Sequence, residues 1–399
     1  MAVKRAVRRR SAVIVTAIAI LAVSPRSAFA QRSLGDVLSF LLTNRSITTD
    51  DFARDEQAQA ATRDTISRFL LLELTRLPVS SSAGGFTYRL NRRLGTVERS
   101  SDSFGPFFTE RTLTAGAGHG SFGVNYQTVS FTTIDGWNLQ DGTLVATASK
   151  FRDQPQPFDV ETLSLRARAS MTTFVANYGV LDHLDVGVAI PFVTLSVSGE
   201  RTDTYRGRQF PQAMASASAS GIGDIAIRAK YHLVRSGAGG VAVGAEVRTP
   251  TGRSEDLLGA GTAALKSLMI GSFDRGTVSW HMNLGYTIGG LSDELDYRGA
   301  LTVAGSPRLT WVAELVGRRV NGLGTLTDTL SPHPTIPGVD TIRLTSLPHA
   351  TGHAAAIAGF KWNPATTWLV SLYVIRALAT TGLNAQWVPT LSVDYSLGR

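Results

Sequence analysis

The stretch GIGDIAIRAKYHL, residues 221–233, puts Ile225, Ile227, Ala229, Tyr231 and Leu233 on one side and Asp224, Ala226, Arg228, Lys230 and His232 on the other. A period of two is the mark of a strand, whose successive side chains point to opposite faces. One face is oily and the other charged. That fits a soluble sandwich, with the oily face on a second sheet, or a barrel with lipid outside and water inside. Similar alternation recurs over 122–131, 162–178, 184–197, 222–234, 241–249, 263–273, 277–288, 297–303, 309–320, 353–362, 367–376 and 386–397, giving twelve strands.

The connections decide between the two. Short ones (179–183, 235–240, 274–276, 305–307, 363–366) alternate with long ones (132–161, 198–221, 250–262, 289–296, 321–352, 377–385). Transmembrane barrels sort their turns and loops in this way, with short turns periplasmic and long loops outside, whereas Greek-key sandwiches have no reason to. Tyr178, Tyr231, Trp280, Trp311, Trp362, Trp368 and Tyr395 all fall near a short turn or the C-terminus. On a barrel they form one aromatic girdle at headgroup depth. The expected fold is therefore all-β, a transmembrane antiparallel up-and-down barrel over 112–399 with outer-membrane lipid as its solvent. Twelve strands are expected, or fourteen if a hairpin read at 86–100 joins the wall.

The chain opens with Lys4, Arg5, Arg8, Arg9 and Arg10, an apolar run over 12–23, and Ala28-Phe29-Ala30. These are the three parts of a secretory signal, and the run is too short to span a membrane. Residues 1–30 are thus expected to be a cleaved leader, placing the mature chain in the outer membrane of a Gram-negative-type bacterium. The leader holds six Lys/Arg and no acid, so without it the net charge falls from +8 to +2. The mature chain has no basic footprint for nucleic acid. With no cysteine, it offers neither disulfides nor thiolate sites.

Between leader and barrel, 31–111 reads as two helices, 34–42 and about 50–77, followed by the 86–100 hairpin. A periplasmic appendage, a plug inside the barrel and a disordered segment are the open readings of this part.

No catalytic, cofactor or metal site emerges. GHGSFG, 118–123, matches GxGxxG but leads into a strand where a dinucleotide site needs a helix. His349 and His353, with His333 nearby, sit in loop sequence that does not align them. The candidate functional residues are polar-face groups, which an oily-face-out barrel turns into its lumen: Arg166, Arg168, Asp185, Asp224, Arg228, Lys230, Glu246, Arg248, His281, Asn283, Glu314, Arg318, Lys361 and Asp394. Seven are basic and five acidic. That near balance suits an uncharged or weakly selected solute, although paired interior charges also serve only to brace a wall.

YGVLDHLDVGVAIPFV (178–193), GIGDIAIRAKYHL (221–233) and VRTPTGRSEDLLGAGT (247–262) resemble outer-membrane proteins of the MetA-pathway phenol-degradation family, themselves similar to hydrocarbon and long-chain fatty-acid channels. The resemblance runs over about 160–290. It implies a barrel, passive passage of small hydrophobic or aromatic solutes, and insertion by outer-membrane assembly machinery. Such barrels usually end on an aromatic residue, whereas this chain ends YSLGR. No substrate-site residue carries over, and 31–111 lies outside the resemblance. The alternative functions are a closed structural or surface-interaction barrel and, more weakly, an outer-membrane hydrolase.

Overall fold

The computed structural model describes residues 33–43, 47, 49–76, 85, 87–91, 96–99, 101–236 and 239–397. The expected leader lies outside the described residues. Twelve strands form the wall: β1 (Gly120–Ser130), β2 (Asp159–Leu181), β3 (Leu184–Tyr205), β4 in two pieces (Arg208–Ile222 and Ala226–Ser236), β5 (Gly239–Arg248), β6 (Ala264–Arg275), β7 (Val278–Gly289), β8 (Glu294–Ser306), β9 (Leu309–Val320), β10 (Thr351–Ala365), β11 (Trp368–Ala377) and β12 (Val388–Leu397). Each is antiparallel to its neighbours, and β12 closes on β1 between Leu397↔Gly120 and Thr390↔Gln127. The twelve alternating runs are these strands. Tyr88–Asn91 and Thr96–Arg99 pair only with each other, so the wall does not reach fourteen.

Burial is inverted relative to a soluble protein. On β4, Ile227, Tyr231 and Leu233 are 53%, 43% and 52% exposed, while Arg228, Lys230 and His232 are 8%, 3% and 9% exposed. An apolar band of this extent needs lipid, not water, around it. Strands of 10–12 residues such as β5, β6 and β7, rising about 3.4 Å per residue, cross a hydrocarbon band of about 25 Å even when tilted. At the short-turn end Tyr178, Tyr231, Trp280, Trp311, Trp362 and Trp368 face outward, 43–53% exposed, and Tyr395 packs half-buried with its ring 5.0 Å from Trp368.

β2 and β3 run to 23 and 22 residues and rise above the rest of the wall at the long-loop end. There they join a sheet that the alternation did not indicate: Thr325–Pro332, Val339–Leu347, Leu144–Phe151, upper β2, upper β3 and the first piece of β4. Arg206 and Gly207, both left-handed with φ 48° and 81°, make the tight turn between β3 and β4.

Helix α1 (Leu34–Leu42) starts with a reciprocal Ser33–Asp36 capping box, and α2 (Phe52–Arg76) follows. Leu34, Val37, Leu38, Leu41 and Leu42 recur at helical spacing, are buried, and join one cluster with Leu165, Leu195 and Val197 of β2 and β3. Thr62 and Thr65 of α2 donate hydrogen bonds to Leu344 O (3.1 Å) and Ser346 Oγ (2.7 Å) of the upper sheet. Both helices therefore pack against the inner surface of the wall at the long-loop mouth.

This packing corrects one expectation. Arg166 and Arg168 are not in the lumen; they are exposed on the outer face, while Leu163, Leu165, Ala167 and Ala169 point inward. Turning the oily face outward fails on this stretch because the inner face meets apolar helices instead of water, and the outer face lies beyond the lipid band.

Candidate functional site

Residues 103–115 run through the lumen, and all are buried except half-buried Leu113. The wall holds this segment chiefly by its backbone. Glu314 of β9 accepts from the consecutive N–H groups of Phe107, Phe108 (3.2 Å) and Thr109 (2.9 Å) and from Thr109 Oγ1 (2.8 Å). Asn283 of β7 pairs with both backbone groups of Glu110, accepting from its N–H at 2.6 Å and donating to its carbonyl at 2.9 Å, as a neighbouring strand would. Lys361 of β10 donates to Pro106 O (2.6 Å), Arg298 of β8 to Phe108 O (2.8 Å), and Lys230 of β4 to Arg111 O (3.1 Å) and Leu113 O (2.8 Å). Thr310, Ser272 and Asp185 accept from the N–H groups of Phe104 (3.1 Å), Thr112 (3.0 Å) and Ala115 (3.0 Å). Eight wall side chains, from β3 round to β10, thus take the place of a second strand.

Side chains of the segment add to this hold. Glu110 lies 3.3 Å from Arg228 and 3.4 Å from Lys230, and Lys230 is also 3.8 Å from Asp185. Phe107 stacks on Tyr373 of β11 at 4.2 Å between centroids, with Phe108 edge-on to the same ring at 5.6 Å. Arg111 folds back to donate to Ser103 O (3.2 Å), passing beside Gly105, whose φ of 72° suits glycine.

Phe108 and Val316 divide two chambers. A cavity of about 130 Å³ lies towards β4–β9, bounded by Arg228, Glu246, Arg248, Lys266, Asp296 and Arg298, with Leu72 and Glu110. Its charges are paired: Arg248–Glu246 at 2.8 Å, Lys266–Asp296 at 2.9 Å and Arg298–Asp296 at 2.7 Å. A cavity of about 60 Å³ on the other side is apolar, lined by Val129, Phe131, Ile357, Ile375 and Val388.

Among the sequence candidates, Asp185, Lys230, Asn283, Glu314 and Lys361 act on the segment's backbone, and Arg228, Glu246 and Arg248 line the charged chamber. Arg318 reaches Glu294 (3.2 Å), Glu73 (3.6 Å) and Leu72 O (3.1 Å) at the end of α2. Asp224, in the break of β4, accepts from Gly252 N–H (3.0 Å) and Ala260 N–H (2.7 Å), fixing the 250–262 loop beside both the charged chamber and a small neighbouring cavity. His281 pairs through Nδ1 with Ser272 Oγ (2.8 Å), and Asp394 accepts from Ser392 Oγ (3.2 Å).

Sequence reasoning did not single out Glu110, Lys266, Glu294, Asp296 and Arg298. Glu294, Asp296 and Arg298 do alternate, but the first two fell in residues assigned to a loop. His333 sits in the upper sheet's turn, accepting from Thr335 and Ile336 N–H, while His353 is buried on β10 beside Phe69. Among the described residues no three His, Cys, Asp or Glu side chains are arranged to hold a metal ion.

No curated protein matches the chain. Among solved structures, an outer membrane channel from Pseudomonas putida F1 superposes with a TM-score of 0.46 at 12% identity, covering 72% of this chain and 98% of its own. The Ralstonia pickettii toluene transporter TbuX gives 0.27 at 10% identity, covering 72% and 91%, and a Pseudomonas aeruginosa FadL homologue 0.30 at 8%, covering 70% and 88%. In sequence, residues 148–325, from the strand before β2 through β9, match the family model described as the putative MetA-pathway of phenol degradation, and over that stretch this chain is like that family.

Proposed function

We propose that this is an outer-membrane barrel, exported by a cleaved leader, through which small hydrophobic or aromatic solutes pass without energy input, with the lumenal segment 103–115 as its resident plug. The observation that carries the reading is the way 104–115 is held. Individual wall side chains grip a main chain, beside chambers left between plug and wall. A structural core would fill that space with interlocked apolar side chains. The outward apolar band, the aromatic collar and the family match agree with it.

The test is uptake of toluene and 1-hexanol, beside glucose, into vesicles with a lipopolysaccharide outer leaflet carrying the refolded mature chain. Uptake of the hydrophobic solutes above empty vesicles, increased by the plug-loosening pair Glu314→Ala and Lys361→Met, is expected. The modest size of the two chambers favours a second reading, a closed barrel whose upper sheet meets an external partner. No uptake through a barrel that shows heat-modifiable migration would select it.

A further inference from the structure

The wall from β11 through β12 and β1 to β2 is built differently from the rest. Its inner face carries the uncharged Ser392, Thr390, Asn125, Gln127, Thr173 and Asn177, with Asp394 as a charged neighbour next along β12, where it accepts from Ser392 Oγ. They are neighbours by register: Asn125 lies opposite Thr173 on one side and Ser392 on the other, and Gln127 lies opposite Thr390. The eight side chains that grip the plug backbone stand on β3 to β10, on the other side of the lumen.

Gln127 is 1% exposed, yet neither its Oε1 nor its Nε2 has a hydrogen-bond partner. Asn125 Oδ1 and Asn177 Oδ1 are unpartnered too, in residues 2% and 6% exposed. Native interiors satisfy such groups, and an apolar residue would be cheaper to bury at each site. Asn125 Nδ2 does donate to Tyr373 OH (2.9 Å), but the whole Gln127 amide and the Asn125 and Asn177 carbonyl oxygens, kept together on one strip of wall and not spent on protein, are suited to a hydrogen-bonding ligand. The strip also continues upward into the apolar chamber on the same strand faces: Gln127 is followed two residues on by Val129, Tyr373 by Ile375, and Thr390 is preceded by Val388.

We propose that this strip is the route past the plug, taken by small uncharged solutes that carry a hydrogen-bonding group, with Gln127 and Asn125 as its selective collar. The proposal rests on the transport reading above. A solute leaves the apolar chamber, exchanges hydrogen bonds with the collar amides, and moves along Ser392 and Asn177 towards the short-turn end. The charged chamber across Phe108 is not on this route, because its ion pairs are closed on one another.

The chain has no cysteine, so a single introduced thiol is unique. Gln127→Cys, Ser392→Cys, Thr310→Cys (0% exposed, bonded to the plug) and Thr287→Cys (on the charged chamber) would each be made in the full chain and exposed in vesicles to methyl methanethiosulfonate. The expected result is at least tenfold faster modification at 127 and 392 than at 310 and 287. Negatively charged sulfonatoethyl methanethiosulfonate should react at least tenfold more slowly at 127 than the neutral reagent, and a benzyl label there should cut 1-hexanol uptake at least fivefold. Faster reaction at 287 or 310 than at 127, or unchanged uptake after labelling 127, overturns the route. Should Gln127→Cys fail to fold, the rates and block at 392 decide it. An unmodified chain that carries no solute refutes transport itself, while the labelling rates still report whether the strip is the way in.

Discussion

Glu314 does for the segment what a capping side chain does for the start of a helix: its one carboxylate accepts from three consecutive backbone N–H groups. It is 3% exposed, so its removal strands donors that water cannot reach. Glu314→Ala should lower unfolding stability in detergent by about 2–3 kcal/mol, as expected for buried hydrogen bonds to a charged group. Denaturant titration checks this, and amide exchange at Phe107, Phe108 and Thr109 should accelerate alongside. Asn283, Lys230 and Lys361 were visible in the sequence as inward polar residues. What they grip was not, because a period-two pattern tells which face a side chain is on but not what fills the space opposite. Gln127 and Asn125 were not singled out for a related reason: the lumen candidates were nearly all charged, and in the 122–131 run no charged residue marks the inner face.

Elements were legible to the extent that each had a contrast between its faces. TVSWHMNLGYTI shows this well, with Trp280, Met282, Leu284, Tyr286 and Ile288 outward and His281, Asn283 and Gly285 inward. The first piece of β4 reads Ala-Met-Ala-Ser-Ala-Ser-Ala-Ser over 213–220, where neither face is oily enough to mark a strand, so the alternation leaves it among the long connections. Upper β2 misled in the opposite sense, since the inner face there meets α1. Asp135 ties three loops together at this end, accepting from Leu326 N–H (2.8 Å) and Gly382 N–H (2.6 Å). Burial pushes its carboxyl above the ordinary value of 3.8, against the pull of those two bonds. The folded loops therefore bind its proton more tightly than the unfolded chain does. Its contribution is fully present below pH 3.8 and lost as pH rises through the raised value. Amide exchange at Leu326 and Gly382 should speed up across that interval, and Asp135→Asn should flatten the response.

At the scale of the molecule, the wall is divided between two tasks. β3 to β10 hold the plug, and the strip from β11 to β2 leaves the Gln127 amide and the carbonyl oxygens of Asn125 and Asn177 without a protein partner. Limited proteolysis reads the first task directly. Arg111 is 2% exposed, so trypsin should leave the bond after it intact in the folded chain. Glu314→Ala with Lys361→Met should open that site while the barrel still migrates as a folded species on gels. Persistent protection in the double variant would mean that the remaining grips suffice.

Because the wall recognises carbonyls and N–H groups more than side chains, its hold is nearly blind to which amino acids the plug is made of. Pro106 fits this rule: the wall uses its carbonyl, the one polar backbone group a proline retains. Substitutions could therefore rewrite the faces that the plug turns towards its chambers, while the grip of the wall stays as it is.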